Sequence, residues 1–147
     1  MKTILYLSPH FDDVVFSCSG HLKTEKEKGN RIVVATIFTE GDHQHRKQED
    51  LKALESYEAE HVWLGELDAP FRNKFYNSFE KIIFGDTEDY QLDVRSLVNK
   101  ISPDQVIAPL AVGTHIDHRI VFDAAKALTD IEVLFYADSP YLSLIHI

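Results

Sequence analysis

The residues best suited to chemistry fall in two short runs, Ser8-Pro9-His10-Phe11-Asp12-Asp13 and, about a hundred residues later, Gly113-Thr114-His115-Ile116-Asp117-His118. Each follows an apolar stretch that reads as a strand. Imidazoles and carboxylates are the nitrogen and oxygen donors that divalent metals take, and a catalytic zinc commonly has three such ligands and one open position. Brought together at two strand ends, the runs would make a metal-dependent hydrolase. Each alone has a plainer explanation. Asp12 or Asp13 could cap a helix starting near Val14, and Asp117 could cap the last long helix, each cap contributing about 0.5 to 2 kcal/mol. Capping does not account for the three imidazoles and the remaining carboxylates, and their convergence favours a metal.

Positioning the two runs requires strands and helices in alternation. Ile4 to Leu7 predicts a strand and Val14 to Lys28 a helix stopped by Gly29-Asn30. Arg31 to Phe38 is a continuous β-branched run of the buried parallel type, broken at Glu40-Gly41-Asp42. Arg46 to Glu60 predicts a polar helix with Leu51, Leu54 and Tyr57 facing inward, His61 to Leu64 a short strand, and Gly65 to Arg72 a loop. The pattern is weakest from Asn73 to Tyr90, although Phe75, Phe79, Ile82 and Ile83 have helical spacing. Asp93 to Lys100 predicts a helix, Gln105 to Ala108 a strand, Asp117 to Leu128 a helix and Glu132 to Tyr136 a strand. This alternation implies an α/β fold, a mainly parallel sheet with helices on both faces, because crossovers are right-handed. Ligands of such sheets bind beyond the carboxyl ends of the strands, where strand order reverses. A strand order of 3-2-1-4-5 would make the first and fourth strands neighbours and bring both runs to that crevice.

The chain of 147 residues, 44% of them hydrophobic, fits one domain with an ample core. Its 15 Lys+Arg against 24 Asp+Glu give a formal charge of −9, which disfavours nucleic acid and anionic membrane surfaces as partners. Met1 to Leu5 leads directly into a strand that the site needs, so no cleavable signal is expected. No apolar run approaches the ~18 residues of a membrane helix, and a cytoplasmic location is expected. Cys18, the single cysteine, cannot form an internal disulfide, and its neighbours Val15, Phe16 and Leu22 suggest a core side chain.

Ser8-Pro9-His10-Phe11-Asp12-Asp13 with Gly20 downstream, and Gly113-Thr114-His115-Ile116-Asp117-His118, resemble the two signature motifs of the LmbE-like, or PIG-L, N-acetyl-sugar deacetylase family. Arg46-Lys-Gln-Glu49 resembles the family's Arg-x-x-Glu helix, and Leu67-Asp-Ala-Pro-Phe-Arg72 a loop of its bacterial members. The resemblance implies a Rossmann-like three-layer sandwich, zinc as the cofactor (or another divalent metal), and removal of acetyl from nitrogen on an amino sugar or its conjugate, of N-acetylglucosaminyl type. Matched position by position, it implies His10, Asp13 and His118 as metal ligands, Asp12 as general base, and His115 with Asp117 as the assisting pair. Asp117 would orient the His115 imidazole, and either Asp12 or His115 would return a proton to the departing amine. Family members commonly have Pro and Glu where this chain has Phe11 and Val14. They also continue beyond the region of Asp138-Ser-Pro-Tyr141, so residues 1–147 are expected to form a single deacetylase domain incomplete at its C-terminus. Apolar surface around Glu132 to Tyr136 would then stand uncovered and favour association or aggregation.

Arg46 and Arg72, near strand ends, are expected to grip a phosphate or sugar hydroxyl of a small-molecule N-acetyl sugar conjugate. His43 and His45 read as a solvated loop, His21 and His61 as structural, and Trp63 as core. Homo-oligomerisation is compatible with the sequence. Two other functions fit the same elements: a metal-binding fragment that no longer turns over, and a nucleotide-binding α/β module. Against the second, Pro9-His10 stands where a glycine-rich phosphate loop would follow the first strand.

Overall fold

A computed structural model describes residues 1–41, 44–85 and 89–139. Five parallel strands form one sheet: β1 (Thr3–Ser8), β2 (Arg31–Thr36), β3 (Glu60–Trp63), β4 (Gln105–Pro109) and β5 (Glu132–Tyr136). Their order is β3-β2-β1-β4-β5, the expected order that makes the first and fourth strands neighbours. Ile4 to Tyr6 pair with β2 on one side and with Gln105 to Ile107 on the other, so strand order reverses between β1 and β4.

Side chains alternate across the sheet because successive residues of a strand point to opposite faces. Ile4 and Tyr6 join Ile32, Val34 and Ile107 beneath α1 (Asp13–Glu27) and α2 (Gln44–Glu55). Leu5 and Leu7 join Val33, Ala35, Val106 and Ala108 on the other face. There they meet Val94 and Val98 of α5 (Val94–Ile101), and Ile116, Ile120 and Val121 of α6 (Ile116–Lys126). The result is a three-layer sandwich whose two cores are built by β-branched residues.

Helix α1 ends in a Schellman turn, with Gly29 at a φ of 71° and hydrogen bonds from Gly29 N–H to Lys26 O and Asn30 N–H to Glu25 O. Helix α2 ends the same way at Glu55, not at Glu60 as its periodicity suggests. Glu58 occupies the left-handed position at φ 55°, with Glu58 N–H to Glu55 O and Ala59 N–H to Leu54 O. A glutamate there conceals the stop that a glycine would announce. Within α2, Asp50 and Leu54 are the buried residues, and Leu51 is only partly covered.

The expected loop before Arg72 contains a helical turn, α3 (Ala69–Arg72), capped by Asp68 Oδ1 accepting from Ala69 N–H at 2.8 Å. Beyond it, α4 (Phe79–Phe84) is capped by Ser78 and buries Ile83, while Phe75 and Phe79 are exposed. Edge strand β5 leaves Leu134 and Phe135 44% and 37% exposed.

Candidate metal centre and active site

The loop from β1 into α1 is closed by its own polar groups. Ser8 Oγ donates to the His10 carbonyl at 2.6 Å and accepts from Val14 N–H at 3.3 Å, and Asp13 Oδ2 accepts from His10 N–H at 2.8 Å. Asp12 stands at the helix entry with a φ of 73°, and its side chain makes no capping bond. The capping explanation therefore fails for Asp12, whose carboxylate is partly exposed at the mouth of the site. A non-glycine residue held there costs of order 1 to 3 kcal/mol and is a mark of functional sites.

At the second run, His115 caps α6 in place of Asp117, its Nδ1 accepting from Asp117 N–H at 3.1 Å. In a neutral ring the proton then resides on Nε2. The Asp117 carboxylate, fully buried, turns elsewhere. Its Oδ1 accepts from Arg72 Nη2 at 2.7 Å, while Oδ2 lies 2.8 Å from His10 Nε2 and accepts from Ala69 N–H at 3.2 Å.

The two runs meet at one point. Asp13 Oδ2 is 3.4 Å from His10 Nδ1 and 3.2 Å from His118 Nε2, and ligand atoms of the three residues lie within 4.8 Å of one another. Tetrahedral zinc with bonds of about 2.0 to 2.2 Å separates its ligand atoms by about 3.3 to 3.6 Å, so this donor set fits such an ion. His10, His115 and Asp117 also meet the distance criterion, but Arg72 already neutralises Asp117 and would oppose a second cation there.

Each imidazole of the fitting set carries a carboxylate on its other nitrogen. His10 Nε2 faces Asp117 and, at 3.2 Å, Asp68 Oδ1; His118 Nδ1 lies 3.0 Å from Asp138 Oδ2. Such partners fix ring orientation and increase ligand basicity.

The electrostatics follow from burial and these carboxylates. Burial works against charge on His10, yet Asp117, Asp13 and Asp68 outweigh it and hold the imidazole well above its usual pKa. His118 is raised too, burial being overcome by Asp13 and Asp138. Burial would raise Asp13, but His118 and His10 hold it below the ordinary carboxylate range. His115 is pushed well below the usual histidine value by burial and by His10 and His118 beside it. Asp12 is raised by burial, with Arg46 pulling the other way.

Of the two arginines singled out in the sequence, Arg46 is exposed on the first turn of α2, where its charge acts on Asp12. Arg72 is turned inward instead. Besides Asp117 it donates to the Leu67 carbonyl at 2.6 Å, and it lies 5.0 and 4.8 Å from the ring centres of Phe38 and Tyr90. His45 is exposed on α2, and His43 lies outside the described residues. His21 bonds Tyr6 Oη at 2.7 Å, His61 packs on Trp63, and Trp63 is half-buried edge-on to Phe11. Cys18 is buried, its thiol pushed up to about 12 by burial first and by Asp138 second.

Three further carboxylates reach this constellation. Asp68 and Asp138 follow the carboxyl ends of β3 and β5, a position that could have flagged them. Asp50 gives no such signal, being one acid in a polar helix.

Residues 5–129 match the PIG-L family, described as GlcNAc-PI de-N-acetylase. The chain belongs to the PIG-L family. A 2'-N-acetylparomamine deacetylase of Streptomyces fradiae is 28% identical over 164 residues, covering 93% of this chain and 57% of that protein. The chain thus spans little more than half the length of this curated relative. Among solved PIG-L-like structures, a pseudoaglycone deacetylase is 26% identical over 96% of this chain and 65% of its own, with a TM-score of 0.75. A teicoplanin deacetylase in complex with teicoplanin shares the fold with a TM-score of 0.79 at 22% identity, over 95% of this chain and 71% of its own.

Proposed function

We propose that the chain is a metal-dependent hydrolase that removes the acetyl group from the nitrogen of an N-acetylated amino sugar or its conjugate, with an N-acetylglucosaminyl unit as substrate and zinc as the ion. The observation that carries this reading is the pairing of one three-residue donor set, His10, Asp13 and His118, with a carboxylate outside it, Asp12, at the same strand ends. An ion held there would polarise the amide carbonyl and make water acidic enough to be a nucleophile near neutral pH.

The protein groups have separable tasks. Asp12 accepts a proton from water as the water oxygen attacks the amide carbon. His115, neutral and with its Nδ1 engaged by a backbone N–H, presents Nε2–H to the carbonyl oxygen as negative charge develops on it. As the C–N bond breaks, the Asp12 carboxyl passes its proton to the departing nitrogen, leaving acetate and a free amine. Asp117 acts through its backbone N–H on His115 and through its carboxylate on His10, a division of labour different from simple orientation of His115. Arg46, exposed beside Asp12, meets the substrate. Arg72 was expected to do likewise, but its engagement with Asp117 assigns it to holding that carboxylate. We assign the chain a cytoplasmic role on a small molecule; among the described residues no helix is long and apolar enough to cross a membrane.

The test is a joint measurement of bound zinc and of acetate release from a panel of N-acetylglucosamine conjugates. Zinc binding with acetate release that Asp12→Asn abolishes is the expected result. Zinc binding without turnover on any conjugate would reduce the chain to a metal-binding domain, and no zinc binding would end the reading.

A further inference from the structure

Asp50 is a buried carboxylate beside the site that neither the metal set nor the proton-transfer groups use. It projects from α2, a helix whose other buried residue is Leu54, and it is 2% exposed. Its Oδ1 accepts from Asp12 N–H at 3.3 Å, a bond between residues 38 positions apart. Its Oδ2 makes no well-formed hydrogen bond among the described residues, nor does the Thr36 hydroxyl, and the Trp63 indole N–H beside the carboxyl only partly offsets the upward push of burial on it. Thr36 and Trp63 are register partners on adjacent strands, so their side chains share the sheet face that α2 covers. A buried carboxylate with half of its acceptors unmet does not gain stability from its place.

What Asp50 does hold is a backbone in an unfavourable state. Asp12 sits at φ 73°, where a side chain is rarely found, and no capping bond of its own keeps it there. Asp13, the next residue, is pinned by the bond from His10 N–H and by the two imidazoles. Relaxation of Asp12 toward an ordinary conformation would swing its carboxylate while leaving Asp13 in place.

We propose that Asp50 is a positioning residue that fixes the Asp12 backbone in the left-handed conformation, so that the Asp12 carboxylate is aimed at the reacting centre independently of the metal ligands. This rests on the reading of Asp12 as the base. The same helix then addresses Asp12 twice, Arg46 acting on its carboxylate and Asp50 on its main chain.

The experiment compares Asp50→Asn and Asp50→Ala with the unaltered protein in kcat, KM, zinc content and the backbone amide resonance of Asp12 in nitrogen-15-labelled protein. Asp50→Asn keeps an oxygen acceptor, whereas Asp50→Ala removes it. The expected result is a kcat loss approaching roughly 10²-fold in the alanine variant, the scale of a misplaced catalytic group, with zinc content and KM little changed. The asparagine variant should recover most of that loss, and the Asp12 amide should shift upfield in the alanine variant only. An Asp12 amide indifferent to Asp50→Ala overturns the inference whether or not deacetylation is seen. Equal loss of kcat and zinc in both variants also overturns it. Absence of acetate release by the unaltered protein would sink the hydrolase reading instead, and the amide resonance still decides whether Asp50 holds Asp12.

Discussion

Arg72 offers the sharpest separation between a substrate-gripping residue and one that builds the site. Its guanidinium is 2.7 Å from Asp117 Oδ1, with side-chain exposures of 10% and 0% for the two partners. Removing one member of so buried a pair leaves the other charge unpaired, at a cost of roughly 3 to 5 kcal/mol. The contacts of Arg72 with the rings of Phe38 and Tyr90 add to the loss, although methionine would retain part of the apolar contact. In a chain of this size each kcal/mol moves Tm by roughly 2 to 4 °C, so Arg72→Met should lower it by about 6 to 20 °C. Calorimetry and urea unfolding measure this directly, the midpoint falling with little change in slope. A cycle with Asp117→Asn isolates the pair, because the double variant should lose less than the sum of the two singles. His10 would also lose a fixed partner, so bound zinc should decline with stability. A Tm within about 2 °C of the unaltered protein, the scale of an ordinary surface substitution, with only KM raised, would refute this argument and return Arg72 to the substrate.

Asp12→Asn should keep zinc and lose about 10²- to 10⁴-fold in turnover, the typical contribution of a general base, whereas Asp13→Asn should lose the metal; the opposite pattern of zinc stoichiometry would reverse the two assignments. Asp138→Ala should weaken zinc binding by about 10- to 100-fold in a chelator competition, since Asp138 supports the His118 ligand from its far nitrogen; unchanged affinity would remove it from the site. Against the effect of burial, Asp117, Asp13 and Asp68 hold His10 well above the usual histidine value, and Asp13 and Asp138 raise His118, so the metal-free protein favours the protonated imidazoles more than free histidine does. Zinc binding should therefore release protons, visible as a dependence of calorimetric heat on buffer ionisation enthalpy. Because these folded-state values are raised, their stabilisation of the metal-free protein is full below the unfolded histidine pKa and disappears as pH rises through the raised values. Zinc affinity should increase over that same range.

The sheet was legible because its signals are local and strong. Strand-like runs separated by helical stretches imply a parallel sheet with right-handed crossovers, whereas the adjacency of β1 and β4 is a matter of strand order that several such sheets leave open and the structure supplies. Boundaries failed where a residue adopted an uncharacteristic conformation: Glu58 in a left-handed turn ends α2 five residues before its periodicity does. The short helix α3 was hidden, and α4 was signalled only by the spacing of Phe79, Ile82 and Ile83, for another reason. Each is a turn or two nucleated by a cap, Asp68 or Ser78, and is too short for a 3.6-residue period to stand out.

At the site, residue types and spacing placed the two runs correctly but could not say which atom faces which. His10 and Asp117 are 107 positions apart, and only the crossing of β1 and β4 brings the Asp117 carboxylate to His10 while its backbone N–H stays on His115. The sequence allows Asp117 as a cap; the fold gives that task to His115, whose Nδ1 accepts from Asp117 N–H while the Asp117 carboxylate is taken by Arg72 and His10. Asp50 lay deepest. An acid in a polar helix looks like solvated surface, and nothing in its neighbours along the chain distinguishes it from Glu49 or Glu55. Its difference is created by packing, when α2 docks on the sheet beside Trp63 and places one carboxyl oxygen under the Asp12 amide. Candidate metal ligands announce themselves by type, whereas Asp50 is recognisable only by the main-chain hydrogen bond it accepts from Asp12.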